Sequence, residues 1–104
     1  LATAGGARRA GVNMEFYDGL AHYRAGRPSE ARELFLQAVR RGSDTEAYDL
    51  NRTEAMYNLG LLAAREERWE EAASWWRAVL RSRPGHRGAG RALDLLHGEG
   101  GSGG

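Results

Sequence analysis

From residue 12 to about residue 97, apolar side chains recur every three to four positions, which is the spacing of one face of an α-helix. Five segments carry this pattern, and glycine, proline or a capping residue separates each segment from the next. We therefore predict an all-α domain built from five amphipathic helices.

Cap and turn residues mark the first two helices. In the first, from Val12 to Arg24, Asn13 is placed to cap the backbone N–H groups of the opening turn. Gly26 is placed to end this helix, and Pro28 suits the first turn of the next one, where its missing N–H costs nothing. The second helix is predicted to run to about Arg41. Its predicted buried face consists of Ala31, Leu34, Phe35, Ala38 and Val39.

The third helix has two candidate starts. Ser43–Glu46 has the capping-box form, and Asn51–Glu54 offers a similar signal further along the chain. We favour the longer helix, from about Asp44 to Glu66, over one that begins at Arg52. The reason is a single apolar stripe formed by Ala47, Leu50, Tyr57 and Leu61.

The last two helices differ in strength. The fourth is predicted from Trp69 to Ser82, and Pro84 with Gly85 ends it. The fifth is weaker, because it contains Gly88 and Gly90. Each glycine inside a helix costs about 1 kcal/mol relative to alanine, so packing must stabilise this helix. Its predicted inward side chains are Ala89, Ala92, Leu93, Leu95 and Leu96.

A shift of 41 residues aligns the two halves of the chain. A glycine on the first helix and an alanine on the second allow two backbones to approach closely, and an aromatic ring fills the space beyond that contact. The two halves are therefore copies of one helix–turn–helix unit. The aligned pairs are Gly19 with Gly60, Leu20 with Leu61, Ala31 with Ala72, and Phe35 with Trp76.

The second unit resembles the tetratricopeptide repeat, which is a helix–turn–helix unit that stacks with copies of itself. Its matching residues are Leu59, Gly60, Ala72, Trp76 and Pro84, whereas Met56 and Ala63 depart from the family pattern. In the first unit Gly19, Ala31 and Phe35 match, and Asp18, His22 and Ser43 depart from it.

The repeat length also departs from the family. Tetratricopeptide repeats recur every 34 residues, and the seven additional residues here lie between Asp44 and Arg52. Seven residues are almost two helical turns, so they lengthen the third helix without rotating its buried face. Sel1-like repeats, which have longer periods, have a similar signature to Ala55–Gly60.

The resemblance implies an α-solenoid of two such repeats with a C-terminal capping helix, in a right-handed superhelical stack. We predict a disordered segment over residues 1–11, the repeat domain over residues 12–97, and a flexible glycine-rich tail or linker over residues 98–104. Among the tryptophans, Trp76 is predicted in the core and Trp69 at a turn, while Trp75 points elsewhere.

Composition narrows the class of partner. The 15 basic residues, all arginine, nearly balance 14 acidic ones, and the net charge is +1. This balance argues against a protein that binds mainly nucleic acid or an anionic membrane. No run of eighteen apolar residues occurs, so membrane insertion is not predicted. Cysteine is absent from the sequence, which excludes disulfides.

The first residues bear on localisation. The sequence begins with Leu1, so we expect an excised or processed fragment. The stretch Ala2–Ala4 has the small-x-small form of a signal-peptidase site, but no apolar stretch precedes it. We favour a cytoplasmic location and keep an exported fragment as the alternative.

Catalytic chemistry is not predicted. The three histidines, His22, His86 and His97, are far apart in the sequence, and none has a second metal ligand at helical spacing. The glutamates at positions 66, 67, 70 and 71 are interpreted as a solvated surface at a turn. We therefore predict no enzyme activity, no metal and no cofactor.

The resemblance implies recognition of a protein or peptide, because the first helices of successive repeats line a concave groove. Aromatic side chains beside a row of arginines suit a ligand with apolar side chains and carboxylates. A C-terminal carboxylate clamp of the chaperone-binding kind is disfavoured, because only Asn58 matches a clamp residue. The predicted concave-face residues are Phe16, Tyr17, Leu20, Tyr23, Arg24, Tyr57, Asn58, Leu61, Arg65 and Arg91.

Three alternatives remain open at this point. The aromatic stripe could belong to the core while the arginines only solubilise the surface. The domain could self-associate, because such arrays usually need three or more repeats for stability. It could also be a regulatory appendage of a larger protein.

Overall fold

The computed structural model describes residues 13–41 and 46–103, and every secondary-structure element among them is an α-helix. The chain divides into two compact units, Leu1–Ala55 and Met56–Gly104. The helices are α1 (Met14–Arg24), α2 (Pro28–Arg40), α3 (Glu46–Arg65), α4 (Trp69–Ser82) and α5 (Arg87–Gly103).

The helix bounds agree closely with the predicted ones. The longer form of the third helix is confirmed, because α3 already begins at Glu46 and a start at Arg52 is wrong. The predicted capping serine, Ser43, and the predicted disordered segment 1–11 lie outside the described residues. The side chain of Arg52 instead donates from Nε to the carbonyl of Val39 at 2.7 Å and so satisfies an acceptor in the last turn of α2.

The last helix extends further than expected. The sequence ends the repeat domain at residue 97, whereas α5 runs to Gly103. Gly98 does not have the positive φ with which Gly26 ends its helix, so the helical backbone continues through it. The division of the chain at residue 97, and a linker role for residues 98–104, stay predictions.

Asn13 joins three helices of the first unit. Its Oδ1 accepts the backbone N–H of Phe16 at 3.3 Å, which caps α1 as predicted. Its Nδ2 donates to the carbonyl of Ala38 at 3.1 Å, and its backbone N–H donates to Oδ1 of Asn51 at 3.3 Å. Because the side chain is fully buried, water cannot replace these bonds.

We expect Asn13→Ala to destabilise the first unit by about 2–3 kcal/mol, because a helix cap is lost and a buried carbonyl is left without its donor. Asn13→Asp keeps the cap acceptor but turns a carboxylate oxygen toward the carbonyl of Ala38. Urea unfolding followed by circular dichroism measures both losses. If Asn13→Asp is as stable as the wild type, the bond to Ala38 contributes nothing.

The two turns between paired helices have the same backbone geometry. The left-handed residue is Gly26 in the first unit, with φ of 78°, and Glu67 in the second, with φ of 61°. In both turns this residue donates to the carbonyl three positions earlier, at 3.1 and 2.9 Å, and the next residue donates to the carbonyl five positions earlier, at 2.9 Å. These bonds form the Schellman motif. The repeat predicted from side chains therefore extends to the backbone.

Each unit has an aromatic ring packed over a glycine. Phe35 is fully buried, and a Cβ atom on Gly19 would lie 2.6 Å from its Cε1. Trp76 is 4% exposed, and a Cβ atom on Gly60 would lie 2.6 Å from its Cδ1. Both close approaches are those that the aligned sequence predicts.

Several apolar side chains are less buried than expected. Leu34 and Val39 of α2 and Ala92 and Leu96 of α5 are half-buried. Leu50 of α3 and Leu95 of α5 are exposed. The predicted stripe of α3 is therefore wrong as a buried face. With 3.6 residues per turn, the buried residues of α3 are centred on nearly the opposite side of the helix from Tyr57 and Leu61. The buried hydrophobic residues of α3 are Ala55, Met56, Leu59, Leu62 and Ala63.

The tryptophans of α4 have different environments. Trp76 lies in the core, as predicted, and its Nε1 donates to the carbonyl of Tyr57 at 3.3 Å. Trp75 is half-buried and donates to Glu71 at 3.4 Å, whereas Trp69 at the turn is 48% exposed.

Candidate functional site

A cleft of about 430 Å³ lies between α3 and α5 in the second unit. Its α3 wall consists of Tyr57 and Leu61, which are one helical turn apart and half-buried. The α5 wall carries side chains one and two turns apart along the same face. These α5 residues are Arg87, Gly88, Arg91, Ala92 and Leu95.

Gly88 and His86 set the start of α5 against the ring of Tyr57. A Cβ atom on Gly88 would lie 2.8 Å from Cζ of Tyr57, so a larger residue would push the helix and the ring apart. The ring centroid of His86 lies 5.0 Å from that of Tyr57. His86 also accepts the backbone N–H of Ala89 at its Nδ1, at 3.0 Å, and so caps the first turn of α5. The start of α5 is therefore packed against Tyr57 at one end of the cleft.

The cleft combines apolar walls with positive charge. Leu95 is 63% exposed, so most of its apolar side chain faces solvent at the cleft. Arg87 and Arg91 are exposed, and neither forms an ion pair with another residue that the structure describes. No acidic residue lines the cleft among the described side chains. The arrangement suits an apolar group that carries a negative charge beside it.

Three of the predicted concave-face residues meet at this cleft: Tyr57, Leu61 and Arg91. Two others are corrected, because Phe16 and Asn58 are only 6% and 8% exposed and offer a partner little surface. The ring centroid of Phe16 lies 6.2 Å from that of Phe35, so Phe16 belongs to the core of the first unit.

The remaining predicted residues do not line this cleft. Arg65 is exposed on α3. In the first unit Tyr17 is 46% exposed and its hydroxyl accepts from Nδ2 of Asn51 at 3.4 Å. Arg24 is exposed, while Leu20 and Tyr23 are half-buried. Their role in binding stays a prediction.

Four cleft residues of α5 were not predicted from the sequence: Arg87, Gly88, Ala92 and Leu95. A shift of 34 residues, the family period, would have indicated two of them, because it aligns Ala92 with Asn58 and Leu95 with Leu61. Arg87 and Gly88 align with Thr53 and Glu54, which are not predicted site residues. The same shift aligns α3 with α5 and marks α5 as the first helix of another unit. The aligned pairs are Ala55 with Ala89, Leu59 with Leu93, Leu61 with Leu95, and Leu62 with Leu96.

The charged turn before α4 forms ion pairs at the surface. Arg68 donates from Nε to Glu66 and from Nη1 to Glu71, each at 3.0 Å. The hydrogen bond and charge of Glu66 raise the pKa of Arg68 above its usual value, with a smaller contribution from Glu71. Because all three side chains are partly or largely exposed, the group behaves as the solvated surface that the sequence suggests.

Two properties of the described residues bear on function. No group of three or more potential metal ligands occurs among the side chains that the structure describes. No helix in the described part of the chain is both long enough and apolar enough to cross a membrane.

Comparison with known families gives one result. The model of the tetratricopeptide repeat matches residues 18–87, which is most of the chain. The chain belongs to the tetratricopeptide repeat family. Neither the curated proteins nor the solved structures gave a match. Tetratricopeptide repeats generally mediate protein–protein interactions and are typically non-catalytic scaffolds that bind protein partners.

The family match ends at Arg87, the first residue of α5, so α5 is compared with α3 by the family period alone. A shift of 34 residues places Asp94 and His97 at the positions that Gly60 and Ala63 have in α3. Both α5 residues are exposed and polar, so this face lacks the small residues that a second-type helix packs against. It has the polar outer surface of a capping helix.

Proposed function

We propose that this tetratricopeptide repeat domain is a non-catalytic recognition module that holds a segment of a partner protein in the cleft between α3 and α5. The observation that carries the proposal is the combination of apolar walls and two arginines in one concave surface. A volume of about 430 Å³ falls in the range of ligand sites, which is roughly 300–1,000 Å³.

The apolar part of the cleft supplies the binding energy in this proposal. Tyr57, Leu61 and Leu95 present an aromatic ring and two leucines to solvent, and the partner removes their apolar surface from water. Aromatic and aliphatic anchors in pockets of this kind account for most of the affinity at protein interfaces. The predicted residues of the first unit, Tyr17 and Arg24, are proposed as additional contacts.

Self-association and a regulatory role within a larger protein are the alternatives. The exposed Leu95 would favour a second copy as the occupant of the cleft. Extension of the array through α5 is disfavoured, because Asp94 stands where a close helix contact needs glycine. Sedimentation at micromolar concentration separates the cases, since only self-association gives a dimer of the isolated domain.

Leu61→Asp is expected to weaken partner binding by about thirtyfold, which is about 2 kcal/mol, because a charge replaces an apolar side chain in the cleft wall. The partner is first isolated by affinity capture, and its purified form is then titrated calorimetrically against the wild type and the variant. Circular dichroism verifies that the variant remains helical.

Leu50→Asp is the matched control. Leu50 is exposed, lies on the same helix α3 and is not a cleft residue. It should leave the affinity of the partner unchanged. If both aspartate variants bind the partner as the wild type does, the cleft is not the binding site and the proposed function loses its basis.

A further inference from the structure

We infer that the cleft selects acidic segments: its ligand is a stretch of a partner protein in which side-chain carboxylates lie beside a bulky apolar side chain. Arg87 and Arg91 bind the carboxylates, while Leu61 and Leu95 bind the apolar group. This inference rests on the proposed function and adds the chemistry of the partner.

The two arginines form a matched pair on one face of α5. They are four residues apart and therefore one helical turn apart, with Cβ atoms about 5–6 Å from each other. Both side chains are exposed, both line the cleft, and neither is paired with a described residue. A guanidinium group matches a carboxylate through two parallel hydrogen bonds. Two neighbouring carboxylates of a ligand can therefore be held at once.

The stability of α5 does not explain why an arginine stands at position 87. It is the first residue of α5, where the positive end of the helix dipole disfavours a cation. The first turn of α5 has no acidic residue, whereas α1, α2 and α4 each have at least one. Arginines also stand at the N-caps of α2 and α4, but acidic residues in the first turn of those helices offset their charge. Arg87 has no acidic residue in its turn, and a residue that breaks a local rule is expected at a functional position. Here that position is the rim of the cleft.

The order of residues along α5 gives the ligand a direction. Arg87 and Arg91 lie in the first half of the cleft wall, and Leu95 follows one turn after Arg91. Ala92 has only a methyl group and leaves room beside Leu61. The carboxylates of the ligand therefore lie toward the start of α5 and its apolar side chain lies toward Leu95.

Selection from a random peptide library tests the ligand chemistry. Peptides of about twelve residues are displayed with their C-termini fused to the carrier, so that no free terminal carboxylate is present. The wild-type domain is the bait, and Leu61→Asp removes binders that do not use the cleft. We expect enriched peptides to carry at least two aspartates or glutamates next to a leucine, phenylalanine or tryptophan.

Affinities of an enriched peptide then test the arginines. The double variant Arg87→Gln with Arg91→Gln should bind it about tenfold more weakly, and the difference should shrink as salt is raised. The control is Arg77→Gln with Arg81→Gln, an exposed pair with the same spacing on α4 that does not line the cleft. This control should bind the peptide as the wild type does.

The outcomes separate the inference from the proposed function. Enriched peptides without acidic residues, or equal effects of the two arginine pairs, overturn the inference while binding in the cleft stands. Failure to enrich any peptide that discriminates the wild type from Leu61→Asp counts against the proposed function itself. A wild-type dimer that Leu61→Asp dissociates would make a second copy the occupant, and the inference would be wrong.

Discussion

Gly60→Ala is expected to destabilise the second unit by about 2–3 kcal/mol, although alanine is the better helix former. The added Cβ atom would lie 2.6 Å from Cδ1 and 2.8 Å from Cε2 of Trp76. The indole cannot move aside easily, because it is 4% exposed and its Nε1 donates to the carbonyl of Tyr57 at 3.3 Å. Urea unfolding followed by circular dichroism measures the loss.

Gly90→Ala is the matched control with the opposite sign. Gly90 lies inside α5, and a Cβ atom there would meet nothing within 4 Å. Only helix propensity acts at this position, so the variant should gain up to about 1 kcal/mol. If the two variants changed the free energy of unfolding equally, the contact between Gly60 and Trp76 would not be tight.

A second substitution, at Trp76, tests whether its ring causes the destabilisation by Gly60→Ala. In a Trp76→Leu background the large ring is gone, and the Cβ atom of Gly60→Ala has space. The penalty of Gly60→Ala should then fall well below its wild-type value, which gives a coupling energy for the pair. An unchanged penalty would assign the loss to the backbone of α3 instead.

The repeat could be predicted from the sequence because its contacts depend on residue size. At Gly19 and Gly60 a Cβ atom would meet an aromatic ring of the following helix, so glycine at these aligned positions indicates the packing directly. Glu67 carries no such signal. It has the same left-handed conformation as Gly26, with φ of 61°, but its side chain belongs to a type that favours neither turns nor that conformation.

The candidate site could be predicted only in part. Tyr57 and Leu61 follow from the helix pattern, but a pattern cannot tell a half-buried cleft wall from a buried face. Phe16 and Asn58 illustrate the error, because they are among the predicted concave-face residues and are buried. Leu95 shows the reverse error, since it was predicted to face inward and is 63% exposed.

The 41-residue shift explains why only Arg91 was predicted in the second wall of the cleft. That shift aligns the first unit with the second, but it carries Tyr57 to residue 98, beyond the side chains that form the wall. The seven additional residues lie before Arg52 and affect only the first pair of units. From α3 to α5 the chain keeps the family period of 34. Because the chain contains two different periods, a single alignment does not show that α5 corresponds to α3.

Phe35→Ala is expected to destabilise the first unit by about 3–5 kcal/mol, because a fully buried aromatic ring is replaced by a methyl group and leaves a cavity. The ring contacts Gly19 and lies 6.2 Å, between centroids, from Phe16. Gly19 has no side chain that could fill the space, and the backbone of Phe16 is fixed by its N–H bond to the side chain of Asn13. Urea unfolding again measures the loss.

Two comparisons test whether the burial of Phe35 is the reason for the expected destabilisation by Phe35→Ala. Tyr17→Ala removes an aromatic ring that is 46% exposed on α1, and it should cost less than about 1 kcal/mol. Phe35→Leu keeps much of the volume and should fall between the two alanine variants. If Phe35→Ala and Tyr17→Ala cost the same, the ring does not fill a packed core. The glycine at position 19 would then need another explanation, because the space that it leaves is useful only when a ring occupies it.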